Sequence, residues 1–254
     1  MDKSLMFFFP RVGSKRRLRE KISRLMPKDF KTYVEPFVGS GSVMLHHKFS
    51  PDQKIVINDL DKSLIRGWRI LKKGASGDPK KYDTSDINKL TQLFNSKGGG
   101  DMDVLVRELL KRNTFGSRGK GKIYKDTSPY KKLLGLPDYK AKLKNATILS
   151  QDYLSVISKY DSPSAFFYLD PPYEDSKEDN VYDATDKGGN LNFEKMAEKL
   201  RSIKGKFLLS MNDSASVRKT FKGFKIRGFT LGAQGRIEGG IGSKARKEVF
   251  ITNY

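Results

Sequence analysis

Asp170-Pro171-Pro172-Tyr173, directly after the apolar run Ala165 to Leu169, places a carboxylate, a rigid turn and an aromatic ring where a strand ends. Those groups suit one kind of chemistry. A conjugated exocyclic amine has its lone pair delocalised, so it attacks an activated methyl group poorly until acceptors pull on its hydrogens and let the nitrogen pyramidalise. The Asp170 carboxylate and the Pro171 carbonyl can be those acceptors. Two consecutive prolines keep the chain extended, remove backbone donors that would compete for the carboxylate and fix where the acceptors point. Tyr173 can then stack on the base that bears the amine. The plain alternative is a strand that ends in a proline-rich turn, a setting where Asp and Pro are common.

A second constellation is Glu35-Pro36-Phe37-Val38-Gly39-Ser40-Gly41-Ser42, where a strand meets a helix. Glycines at such a turn let a ligand approach the backbone closely. Asp59 ends the next strand about 20 residues on, the spacing at which a carboxylate accepts hydrogen bonds from a ribose diol. The third glycine of a dinucleotide fingerprint and the lysine of a phosphate-binding loop are both missing. An adenosine-containing ligand without phosphates fits better than NAD or ATP, and a glycine turn beside a surface Asp is the bland alternative.

Charge points to the partner. Fifty Lys and Arg against 29 Asp and Glu give a formal net charge of +21 over 254 residues, well beyond what solubility requires, and predict a polyanion, nucleic acid first. An anionic membrane surface ranks second, since no apolar run approaches a spanning length and Met6 to Phe9 is too short for a signal peptide. The expected location is intracellular, cytoplasmic or nucleoid-associated. The absence of cysteine excludes disulfides, thiolate catalysis and Cys-ligated zinc. His46 and His47, the two histidines, lack partners at ligand spacing and read as ordinary helix residues, so no metal site is expected.

These residues need a scaffold. Leu18, Ile22 and Leu25 mark a basic amphipathic helix stopped by Pro27. Strands are expected over Thr32 to Phe37, Lys54 to Ile57, Ala146 to Ser150, Ala165 to Leu169, Phe207 to Ser210, Phe224 to Phe229 and Glu248 to Asn253. Helices are expected over Ser42 to Lys48, Leu60 to Leu71, Phe193 to Ile203 and Ala215 to Phe221. Such alternation predicts an α/β fold, a Rossmann-like, mostly parallel sheet covered on both faces with an antiparallel C-terminal strand. Between Lys72 and Asn145 the apolar content falls. Helices around Ile87 to Phe94 and Met102 to Leu110 are followed by the glycine-rich basic stretch Lys111 to Lys122, expected on the surface. The division is therefore residues 1–71 and 145–254 as one domain and 72–144 as a mainly helical insertion.

In this order the motifs resemble the Dam-type DNA adenine N6-methyltransferases, which use S-adenosylmethionine, and the resemblance covers most of the chain. Phe9-Pro10-Arg11-Val12-Gly13-Ser14-Lys15 looks like the N-terminal cofactor motif, its lysine at the methionine end. Glu35 to Ser42 looks like the glycine motif, Asn58-Asp59 the ribose motif, and Gln151-Asp152-Tyr153 the segment packing on the cofactor adenine. Asp170 to Tyr173 is similar to the catalytic motif, Leu209 to Asp213 to a later one, and Glu248 to Tyr254 to the closing strand. The resemblance implies catalysis by Asp170, Pro171, Pro172 and Tyr173. It implies cofactor binding by Arg11, Gly13, Lys15, Glu35, Pro36, Phe37, Gly39, Gly41, Ser42, Asp59, Asp152, Tyr153 and Asp170.

The insertion falls where that family keeps its DNA-recognition domain, making double-stranded DNA the expected partner of a monomeric enzyme. Its reading residues are less well matched. The family's hairpin carries an Arg-Tyr-Asn stretch and a later Pro-Phe-Gly, whereas this chain has Arg112-Asn113-Thr114-Phe115-Gly116, so a GATC target does not follow. Lys111, Arg112, Asn113, Arg118, Lys120 and Lys122 are the candidate DNA contacts. Arg118, Lys120 and Lys122 suit either guanine edges or phosphates. Cytosine N4, RNA adenine and protein glutamine present equally conjugated amines; the basic insertion and the charge argue against protein, while cytosine N4 and RNA adenine stay open as substrates. A non-catalytic nucleic-acid-binding protein that keeps the fold is the remaining alternative.

Overall fold

Five strands with near-continuous apolar sequence run parallel: β1 (Thr32–Glu35), β2 (Lys54–Asn58), β5 (Ala146–Leu149), β6 (Ala165–Leu169) and β7 (Lys206–Asn212). With β8 (Lys225–Leu231) and β9 (Arg246–Thr252) they form a seven-stranded sheet of order β5-β2-β1-β6-β7-β9-β8. β9 runs antiparallel to both neighbours, the pairing expected from sequence for the C-terminal strand. The computed structural model describes residues 8–11, 13–111, 129–172, 191–231 and 246–254, and the backbone at 114–115 and 122–123.

Both faces of the sheet are covered, which is why its strands are apolar rather than alternating. Phe166 and Tyr168 of β6 point into one core with Tyr33, Ile57 and Leu208. Phe167 and Leu169 point into the other with Val34, Leu209 and Met211. The first face carries α1 (Arg19–Leu25), α2 (Ser42–His46) and α3 (Lys62–Lys73); the second carries α8 (Tyr153–Tyr160), α9 (Phe193–Arg201) and α10 (Ala215–Thr220).

The segment between α3 and β5 contains α4 (Ile87–Asn95), α5 (Asp101–Leu110), the two-stranded ladder of β3 (Thr114–Phe115) with β4 (Lys122–Ile123), α6 (Tyr130–Leu133) and α7 (Leu136–Leu143). Leu105 and Leu109 of α5 and Tyr139 and Leu143 of α7 join the same core as Ile65 and Trp68 of α3. Three helices go beyond the sequence expectation. α6 and α7 are short and lysine-rich, with Pro137 tolerated in the first turn of α7. α8 supplies the crossover that parallel β5 and β6 require.

Between β1 and β6 the strand order reverses direction, and ligands in open α/β sheets bind at such a crevice beyond the carboxyl ends of the strands. Glu35, Asn58, Asp170 and Asn212 all stand at that edge.

Candidate active site

The glycine turn is fixed from several sides. Gly39 and Gly41 have φ of 44° and 63°, a left-handed conformation costly for other residues. A Cβ on Gly41 would lie 2.6 Å from Trp68, while one on Gly39 would meet nothing within 4 Å. Gly41 therefore packs inward and Gly39 borders open space, which suits a ligand against the turn. Asp59 accepts from the Gly39 amide (3.0 Å) through one carboxylate oxygen and from the Asp61 amide (3.0 Å) through the other. Each oxygen keeps a second lone pair. Burial, first among its influences, raises the Asp59 pKa.

Asn58 is buried and cross-braces the rim. Its side-chain amide donates to the carbonyls of Pro36 (3.0 Å) and Gln151 (2.9 Å), and its Oδ1 accepts from the Gln151 amide (2.8 Å). Three loops are thereby held in register. Phe37 and Tyr153 stand with ring centroids 5.2 Å apart. Asp152 caps α8 by accepting from the amides of Leu154 and Ser155.

Serine hydroxyls from two segments meet beside the turn: Ser14 reaches Ser40 (2.9 Å) and Ser42 (2.7 Å), which reach each other (2.6 Å). Lys15 follows and is largely buried; its ammonium donates to the Gly13 carbonyl (3.1 Å) and lies 2.6 Å from Asp170 Oδ1. Ser210 of β7 donates to that same oxygen at 3.0 Å, and its hydroxyl lies 3.2 Å from the Tyr168 hydroxyl. With its one proton on the carboxylate, Ser210 accepts from Tyr168. Asp170 Oδ1 is thus held by two donors, while Oδ2 has no hydrogen-bond partner among the described residues.

Glu35 ends β1 one strand away. It is buried, accepts from the Tyr33 hydroxyl (2.7 Å), and has its pKa raised well above the usual range by burial, with the charge of Asp170 adding to the effect. Pro36 and Pro171 are buried and Pro172 is exposed.

Arg11 joins a charged cluster beside the ribose-motif loop. Buried Glu108 of α5 binds Arg11, Ser63 and Lys111 (2.6 Å to the last), and Asp61 lies 3.4 Å from Arg11 and 3.6 Å from Lys111. The two cations hold the Glu108 pKa below its ordinary value although burial acts the other way. This cluster links the N-terminal segment, the start of α3 and the start of the basic stretch.

Of the residues singled out from sequence, Arg11, Gly13, Lys15, Glu35 to Gly39, Gly41, Ser42, Asp59, Asp152, Tyr153, Asp170, Pro171 and Pro172 line or support one rim. Lys111 stands near it through Asp61. Tyr173, Arg112, Asn113, Arg118 and Lys120 lie outside the described residues, and Lys122 is described only as part of β4. Tyr168, Trp68 and Glu108 join the arrangement although nothing in the sequence signals a place for them there; Ser210 and Asn58 fall within the matched motifs Leu209 to Asp213 and Asn58-Asp59, but their bracing roles come from the fold. Among the described residues, no group of His, Asp and Glu is arranged to hold a metal ion, and no helix is long and apolar enough to cross a membrane.

Comparison with known proteins gives this geometry a family. Residues 12–99 and 105–228 match the family described as D12 class N6 adenine-specific DNA methyltransferase. The chain is 27% identical over 248 residues to the DNA adenine methylase of Vibrio cholerae, covering 86% of each chain. It is 22% identical over 289 residues to the Type II methyltransferase M.MjaIII of Methanocaldococcus jannaschii, covering 97% of this chain and 98% of that one. Against the Type II methyltransferase M.CviBI of Paramecium bursaria Chlorella virus NC1A the identity is 23% over 226 residues, covering 84% of this chain and 85% of the other. With most of its length matched by that family, the chain belongs to the D12 class of N6 adenine-specific DNA methyltransferases and methylates adenine in DNA at specific sites.

Proposed function

We propose that the methyl donor is S-adenosylmethionine, held at the rim of β1, β2 and β5, and that the acceptor is an adenine flipped out of duplex DNA onto the turn that follows β6. The observation that carries this reading is the pair of donors on Asp170 Oδ1, which leaves Oδ2 as the acceptor for one hydrogen of the amine. The Pro171 carbonyl takes the other hydrogen, and the nitrogen pyramidalises toward the cofactor. The cofactor, when bound, supplies a methyl group on a positively charged sulfur. The chain mainly has to hold donor and acceptor in line at attack distance.

Open space at Gly39 and the spare lone pairs of Asp59 fit the cofactor's ribose, and Phe37 and Tyr153, which pack on each other, offer an apolar aromatic surface for its adenine. Lys15 and the Ser14, Ser40 and Ser42 hydroxyls sit at the methionine end. Lys15 also touches Asp170, so one ammonium connects the cofactor segment to the turn that receives the base. Loss of a proton from the methylated ammonium needs no strong base, so Asp170 is asked only to accept a hydrogen bond.

A base inside a duplex cannot reach such a crevice, so it must leave the stack, and Tyr173 is assigned the role of stacking on it. Residues 72–144 act as the recognition domain, with Lys111 and the basic stretch after it on the DNA. The enzyme works as a monomer. The test is transfer of labelled methyl from S-adenosylmethionine to duplex DNA, single-stranded DNA and RNA of the same sequence. Label in duplex adenine N6 supports the reading; preferential labelling of RNA or of cytosine overturns it.

A further inference from the structure

α3 carries cations on its outer side at Lys62, Arg66, Arg69 and Lys73, spacings of four, three and four. At 3.6 residues per turn these lie within about 60° of one another around the axis and extend along about 16 Å. All four are exposed, and α3 contains no acidic residue. At its C-terminal end the stripe widens, because Lys140 and Lys144 at α7 border adjoining surface depressions with Lys72, Lys73 and Arg69. Asp138 is the one acidic residue of α7.

Among the described residues none of these cations has a carboxylate partner within salt-bridge distance, whereas Arg24, Lys31, Lys206 and Arg218 elsewhere on the surface do. Arg69 and Lys72 instead reach carbonyls of edge strand β5, at Ile148 (3.5 Å) and Ala146 (2.8 Å). A row of like charges without counter-charges repels itself, and a polyanion lying along it removes that repulsion. The stripe starts next to Asp61, whose partner Lys111 opens the basic stretch of the insertion. It then leads down the flank, away from the rim.

We propose that this α3–α7 flank is a second DNA-contacting surface, one that binds phosphates outside the methylation site and adds sequence-independent affinity. It rests on duplex DNA being the substrate. Charges repeating at three to four residues recur about every 4.5 to 6 Å along a helix, close enough for successive side chains to meet neighbouring phosphates of one strand. The contact is assigned to the phosphate backbone, because a row of cations along a helix flank that leads away from the rim can clamp phosphates without entering a groove.

The test compares the full-length enzyme with a variant carrying Arg66→Gln, Arg69→Gln, Lys73→Gln and Lys140→Gln. A control loses the same charge on the opposite face through Lys195→Gln, Lys219→Gln, Lys222→Gln and Lys225→Gln. Affinity is measured against salt on a short duplex limited to the unmethylated target site and on a long duplex with flanks. The wild type should have a steeper log affinity against log salt slope on the long duplex, by about 0.9 per additional phosphate neutralised. The stripe variant should lose about 2 to 3 units of that increment while methylating the short duplex within two-fold of wild type. The control should keep the increment. Equal slopes for wild type and stripe variant on the long duplex, or an equal loss in the control, would overturn the proposal. Failure of the wild type to methylate either duplex would instead count against duplex DNA as substrate.

Discussion

Replacing Ser210 by Ala removes one hydroxyl, fully buried, from beneath the carboxylate that meets the substrate. A hydrogen bond to a charged group contributes about 1.5 to 3 kcal/mol. Here it fixes which oxygen of Asp170 faces the amine. Lys15 stays on Oδ1 at 2.6 Å, so the carboxylate keeps its charge partner and loses its lateral brace. If most of the bond's contribution is felt at the transition state, the methyl-transfer step should slow by roughly 10- to 100-fold, each 1.36 kcal/mol being tenfold. Cofactor affinity should change by less than about two-fold, because Ser210 touches none of the residues assigned to the cofactor except Asp170. Single-turnover transfer under saturating cofactor and DNA is the assay, alongside a cofactor titration and a thermal melt. Ser210→Thr, which restores a hydroxyl, should recover much of the rate, and Tyr168→Phe should have a smaller effect in the same direction. A Ser210→Ala rate within two-fold of wild type would refute the bracing of Asp170 by this residue.

Asp59→Ala should weaken S-adenosylmethionine binding by about 1.5 to 3 kcal/mol through loss of charge-assisted bonds, with part of the loss coming from the released Gly39 and Asp61 amides; calorimetric titration reads it, and unchanged affinity removes Asp59 from the site. Gly41→Ala forces a Cβ to 2.6 Å from Trp68 at a φ of 63°, so urea unfolding should report a loss of about 2 to 4 kcal/mol. His47 is held neutral when folded, chiefly by burial, its pKa lowered from 6.5 to about 4. As pH falls through that window the unfolded chain takes up a proton that the folded one resists, so stability declines with acidification. The melting temperature of His47→Gln should fall less steeply than wild type between those pH values.

Legibility from sequence followed the distance over which residues act. The turn after β6 was readable because strand, carboxylate and prolines are contiguous and the run Ala165 to Leu169, apolar throughout, signals a strand buried on both faces. The glycine turn and Asp59 were readable for the same reason, a loop and a carboxylate at recognisable spacing. The brace from Ser210 was not. It depends on β7 pairing beside β6 in a register that sets Leu209 opposite Leu169, and no local pattern fixes that register. Glu108 was hidden likewise: like Asp101 and Asp103 of the same amphipathic helix it reads as surface until α5 packs on α3 and buries it against Arg11 and Lys111. α8 escaped notice because Tyr153 to Tyr160 is only eight residues long: its buried positions Tyr153, Val156 and Ile157 fall at helical spacing, but they span little more than one turn, too little to stand out as a periodic pattern.

The central claim is that Asp170 presents one carboxylate oxygen to an adenine amine. The most direct measurement expresses wild type and Asp170→Ala in a host without adenine methylation and sequences its DNA with modification-sensitive reads. N6-methyladenine in one recurring sequence context with the wild type, and none with Asp170→Ala while both variants bind S-adenosylmethionine alike, is the predicted result. N4-methylcytosine in place of methyladenine, or adenine methylation persisting in Asp170→Ala, would contradict it.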